Sequence, residues 1–133
     1  METRRKILAA MRPEGAVAVE RALGRYVEVV PAYTFEEAVK RLQGRDDLSL
    51  ILCGIYFDET RMFDLVRLAR KEFPRIPIVC CRIGPSEVPE VTLEAVGIAA
   101  KSMGAEAFVD MQLLRPDPAA DQEFRNLVLR HLR

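Results

Sequence analysis

Five short apolar runs alternate with five amphipathic stretches along the whole chain, and this alternation limits the fold more than any other feature. The strand-like runs are residues 6–10, 26–30, 48–53, 78–81 and 106–110. The run at 78–81 is continuously apolar and that at 48–53 is apolar but for Ser49, the pattern of strands buried on both faces. Between them the spacing predicts helices over about 14–23, 34–43, 58–73 and 91–103, with a last one beginning at Asp117-Pro118. Strict strand–helix alternation implies parallel strands joined by right-handed crossovers. Five such units in 133 residues suit an open three-layer α/β sheet and are too few for an eight-fold barrel.

The helix ends carry their own signals. Thr34 and Glu37 form a capping box, in which hydroxyl and carboxylate satisfy backbone N–H groups that the helix leaves unpaired. Gly24, Gly44 and Gly104 stand where helices should stop. Asp58 is expected to cap the third helix, whose inner stripe is Met62, Leu65, Val66, Ala69 and Phe73, with Asp64, Arg67 and Lys71 outside. Asp117 followed by Pro118 is an N-cap and first-turn pair.

Composition excludes several function classes. The 20 basic and 20 acidic side chains cancel, so the basic excess that displaces counterions from nucleic acid is missing. The charged start, Met1 to Lys6, is followed by only four apolar residues before Met11. That run is too short for a signal peptide or a membrane span. Three cysteines without CxxC spacing suggest neither a zinc site nor a disulfide framework. The expectation is one cytoplasmic domain over residues 1–133, without cofactor or metal and without affinity for nucleic acid or membranes. No catalytic triad, phosphate-binding glycine loop or catalytic carboxylate pair is visible, so no enzymatic activity is expected.

In open α/β sheets, ligands gather at the carboxyl ends of the strands. That directs attention to residues 11–14, 53–58, 82–86 and 111–113. Several segments here and elsewhere resemble the receiver domain of bacterial two-component response regulators. They are Lys6-Ile-Leu8, Ala32 to Ala38, Phe63-Asp-Leu65, Ile76-Pro-Ile-Val79 and Gly104-Ala-Glu-Ala-Phe108, in the family's order and near its spacing. The resemblance implies a doubly wound, flavodoxin-like sheet of strand order 2-1-3-4-5. It also implies where phosphorylation chemistry would sit. The acidic pair that holds magnesium is replaced by Met11 and Arg12. The phosphoacceptor aspartate falls at Cys53 or Gly54, the hydroxyl residue at Arg82, the lysine at Met111 and its following proline at Gln112. Without carboxylates there is no hard-oxygen metal site, and without the aspartate and lysine no nucleophile and no phosphoryl clamp. The expectation is a pseudo-receiver, phosphorylation-independent, that docks a signalling protein or an output domain.

Other chemistry at the same edge stays open. Arg12 and Arg82 suit a small anion, or else pair with Asp58, Asp110 or Glu14. Cys53 and Cys81, expected near each other at adjacent strand ends, suit a redox or soft-metal role, or else act as small buried hydrophobes. His131, on one side with Phe124, Leu127 and Val128, is expected to pack rather than to catalyse. The fourth helix is apolar around more than half its circumference, which predicts a protein contact unless residues 83–90 fold over it. By resemblance, the fourth helix, fifth strand and fifth helix form the partner or homodimer face, with Val96, Ala100, Met103, Phe108 and Leu129 as its candidate residues.

Overall fold

The computed structural model describes residues 4–44 and 47–132. The start of the charged N-terminal run and the last residue lie outside these. Ten elements alternate in the expected order: β1 (Lys6–Ala10), α1 (Pro13–Leu23), β2 (Glu28–Ala32), α2 (Phe35–Gln43), β3 (Leu48–Gly54), α3 (Met62–Glu72), β4 (Ile78–Arg82), α4 (Glu90–Ser102), β5 (Ala107–Asp110) and α5 (Pro118–Leu129). The strands form one parallel sheet in the order β2-β1-β3-β4-β5.

Alternation along the strands builds two cores. Ile7, Ala9, Leu50, Leu52, Val79 and Cys81 pack with α1 and α5 on one face. Leu8, Ala10, Ile51, Cys53, Ile78 and Cys80 pack with α2, α3 and α4 on the other. Central strands that meet apolar layers on both sides must be apolar through the covered stretch, which explains the runs Leu50–Cys53 in β3 and Ile78–Cys81 in β4.

Two local expectations are corrected and one open alternative is decided. β2 begins at Glu28 rather than at residue 26, because Tyr26 sits in the turn where its N–H and that of Val27 both reach Leu23 O. The strand then continues through Pro31. Glu28 N donates to Arg5 O and Ala32 O accepts from Met11 N, so the even-numbered groups face β1. The N–H that Pro31 lacks would therefore point at the open edge, where proline is tolerated. The second correction is Asp58. It does not cap α3, whose N-cap position is Arg61 without a side-chain cap bond. Asp58 and its neighbour Glu59 have positive φ (44° and 68°), and the Asp58 carboxylate accepts from Phe35 N at 2.9 Å, at the start of α2. Third, residues 83–90 do not blanket α4, since Val91 and Ile98 are 72% and 64% exposed.

Other end signals act as read. Thr34 Oγ1 accepts from Glu37 N at 3.2 Å, while the Glu37 carboxylate reaches back one residue beyond the box, to Tyr33 N. Asp117 accepts from Ala119 N and Ala120 N at the start of α5. None of the described helices is long and apolar enough to cross a membrane.

Candidate functional site at the carboxyl edge of the sheet

Met11 follows the last residue of β1 and is held by its N–H on Ala32 O, 3.1 Å away. Its side chain is 3% exposed and belongs to the α1/α5 core. Gly54 ends β3 directly beside it. A Cβ on Gly54 would lie 3.2 Å from the Met11 Cβ, and one on Gly15 would lie 3.2 Å from its sulfur. Both glycines are thus matched to a thioether that fills the space between the strand ends and α1. Of the two positions left open at the end of β3, Gly54 faces this edge with Met11 and Arg82. Cys53 points into the opposite core.

The end of β4 is closed by charge. Arg82 bonds Asp110 through both Nε (2.6 Å) and Nη2 (2.5 Å), and its Nη1 donates to Gly84 O at 2.9 Å. With Nε and Nη2 both on Asp110 Oδ1 and Nη1 on a carbonyl, the guanidinium has little capacity left for a second anion. Arg12 makes no such pair among the described residues. Its guanidinium lies 4.7 Å above the ring of Tyr56. The Tyr56 hydroxyl accepts from Glu87 N at 3.0 Å and lies 3.4 Å from Ser86 Oγ. This side chain therefore ties the loop after β3 to the segment leading into α4. Met111, after β5, is half-buried and packs on the α1/α5 core, and its N–H donates to Arg82 O.

Together these residues line a solvent-open cavity of about 80 Å³, walled by Met11, Gly54, Cys81, Ile83 and Leu114 with Arg12, Arg82 and Glu14 among its polar lining. The donor set does not fit magnesium. A thioether, an arginine already paired and a second arginine on an aromatic ring offer no pair of hard oxygens. Among the described residues no cluster of three His, Cys, Asp or Glu side chains is arranged for a metal.

The expected neighbours Cys53 and Cys81 are separated by the sheet. Cys53 stands opposite Cys80 and Gly54 opposite Cys81 in the β3–β4 register, so the two expected partners point to opposite faces. All three thiols are buried and unpaired. Burial raises the pKa of Cys80 to about 12 and pushes those of Cys53 and Cys81 upward as well. A thiol held protonated is a poor nucleophile and a poor metal ligand. His131 bonds Glu106 Oε1 through Nδ1 at 3.0 Å, just past the end of α5.

Of the residues expected to form a partner face, one is buried and the other four are half-buried. Ala100 is fully buried, Val96, Met103 and Phe108 pack on the α2/α3/α4 core, and Leu129 packs on the opposite one. The cause is Gly97, where an added Cβ would meet the Phe108 ring at 3.1 Å. With Ala100 one turn on, it lets α4 seat closely on β5 and turns that stripe inward. The large hydrophobic residues α4 leaves outside are Val91 and Ile98. Sequence reasoning also missed the Tyr56 clasp and the pairing of Arg21 with Asp121, which links α1 to α5 through two 2.9 Å bonds. No periodicity marks such contacts, because they join residues distant in sequence.

Sheet order, element order and the placement of the site define a receiver-like, flavodoxin-type α/β fold. Solved structures agree. A response regulator from Thermotoga maritima is 18% identical, with 97% of this chain and 98% of that one covered at a TM-score of 0.74. The N-terminal signal receiver domain of a two-component response regulator from Bacteroides fragilis is 14% identical, with 97% of each chain covered and a TM-score of 0.74. An orphan response regulator of H. pylori is 11% identical, again with 97% of each chain covered and a TM-score of 0.71. At these identities the likeness establishes the fold. No family model and no curated protein sequence matches the chain.

Proposed function

We propose that this protein is a phosphorylation-independent pseudo-receiver, a non-enzymatic module that works in bacterial signal transduction by docking a signalling protein or an output domain. The observation that carries the reading is the Met11–Gly54 contact. At the strand ends where a receiver would present its acceptor carboxylate and acidic pair, a buried methionine packs against a glycine. The Arg82–Asp110 fork adds a second closure, joining the ends of β4 and β5 without any phosphoryl group. The scaffold is retained while the chemistry is replaced, which favours a surface role. Three buried, unpaired cysteines accord with a reducing, cytoplasmic setting. Incubation with acetyl phosphate and magnesium should leave the intact mass unchanged. A stoichiometric phosphoryl adduct would overturn the proposal.

A second reading, a small-anion sensor, draws on Arg12 at the 80 Å³ cavity. Its two-arginine form is disfavoured, because Arg82 is spent on Asp110 and the carboxylate residue Glu14 lines the same cavity. A rise in melting temperature with small anions, absent in Arg12→Ala, would support it.

A further inference from the structure

The outer side of α4 has the pattern of a helix-packing seam. At about 100° per residue, Val91, Ala95, Ile98 and Ser102 fall within about 60° of one another, on the side opposite Leu93, Gly97 and Ala100. The four seam residues are exposed and the three opposite them are buried. The seam is therefore surplus to the fold. Ala99 and Thr92 flank it on one side, Glu94 and Lys101 on the other. Neither Glu94 nor Lys101 pairs with another described residue.

The order of these two charges selects the occupant. Glu94 and Lys101 are seven residues apart, two turns along one flank. Two copies of α4 laid antiparallel about a two-fold axis near residue 97 would set Val91 against Ser102 and Ala95 against Ile98, a large side chain facing a small one in each layer. The same symmetry would bring Glu94 of each copy beside Lys101 of the other, giving two reciprocal ion pairs. Parallel pairing would place Glu94 beside the uncharged Ala99 flank and form neither. Self-complementarity of this kind is what an isologous contact requires, and flanking charges set orientation in helix pairs.

We propose that a second copy of this chain docks on the Val91–Ala95–Ile98–Ser102 seam, α4 antiparallel to α4. The inference rests on the reading of the chain as an interaction module and names its partner. A single helix pair lies at the small end of specific interfaces, below about 1,200 Å². The dimer is accordingly weak and dynamic, with a dissociation constant from micromolar towards millimolar.

Sedimentation equilibrium of the full chain between roughly 10 µM and 1 mM tests this, with thermal melts to confirm that each variant folds. The wild type should move from monomer towards dimer. Ile98→Asp should abolish the shift. Glu94→Lys and Lys101→Glu should each weaken it by roughly tenfold, since both ion pairs become like-charge contacts. Mixing these two variants should restore association, because every Lys then meets a Glu. A wild type monomeric throughout would overturn the inference, as would a dimer indifferent to Ile98→Asp or singly swapped variants that do not recover on mixing. Phosphorylation assays on the monomer remain informative in every case, so failure of the dimer and failure of the pseudo-receiver reading are separable.

Discussion

A side chain introduced at Gly54 would begin with a Cβ 3.2 Å from that of Met11, in a region packed against the α1/α5 core. Gly54→Asp is therefore expected to destabilise the fold by about 1–3 kcal/mol through overpacking, with a further cost for a carboxylate lacking a partner. Chemical denaturation measures the first effect. Acetyl phosphate labelling of the variant should remain at background, and stoichiometric labelling would show that only the aspartate was missing. The sequence identified Cys53 and Gly54 as equal candidates here. It had no means of separating them, because choosing between adjacent residues requires knowing which face of the strand meets which helices. A second residue-scale prediction concerns Asp121. Hydrogen bonds from Arg21 hold its carboxyl pKa below the ordinary value. A folded-state pKa depressed in this way stabilises the protein above the unfolded value of about 3.9, and that stability is lost as pH falls through the folded value. Asp121→Asn should flatten this acid-side loss in a pH series of melting temperatures. At neutral pH it should cost about 1.5–3 kcal/mol, the usual worth of hydrogen bonds to a charged group.

At the scale of elements, the loop after β3 is fastened on two sides. Asp58 bonds the first turn of α2, and Arg61 lies 3.9 Å above the Phe35 ring. Tyr56 holds the segment before α4 through Glu87 N and contacts Ser86. Tyr56→Phe removes the acceptor for Glu87 N while keeping the ring under Arg12. Amide exchange around residues 86–88 should speed up, while that of β3 and β4 stays unchanged. Unaltered exchange in this segment would mean that the hydroxyl is not its tether. Strand and helix order was legible in the sequence because burial on both faces, capping residues and terminal glycines all leave local marks. The error at Asp58 has a different origin. An aspartate before a helix reads as its cap, yet this one occupies a positive-φ turn and serves α2, which is close only after folding. The inward-facing stripe of α4 escaped for a similar reason. Its wheel is apolar around more than half its circumference, and only the fit of Gly97 onto Phe108 decides which side is covered.

Across the molecule, the sheet's two lateral edges and its carboxyl end have different characters. The β2 edge is guarded by Pro31 and by the Tyr33 N–H already bonded to Glu37, which discourages strand addition there. The carboxyl end is filled by Met11 and clamped by Arg82–Asp110. Among the described residues, α4 presents a regular, exposed apolar seam with ordered flanking charge. Position and fold of the site followed from strand alternation and the resemblance, whereas its closure depends on side-chain packing that no motif encodes. An edge packed in this way is expected to accept no phosphoryl group. A titration with magnesium and beryllofluoride, followed by amide NMR of residues 11–15, 54–58 and 82–86, tests it most directly. No shifts are expected beyond those of a salt control. Saturable, stoichiometric shifts centred on Gly54 and Arg82 would contradict it.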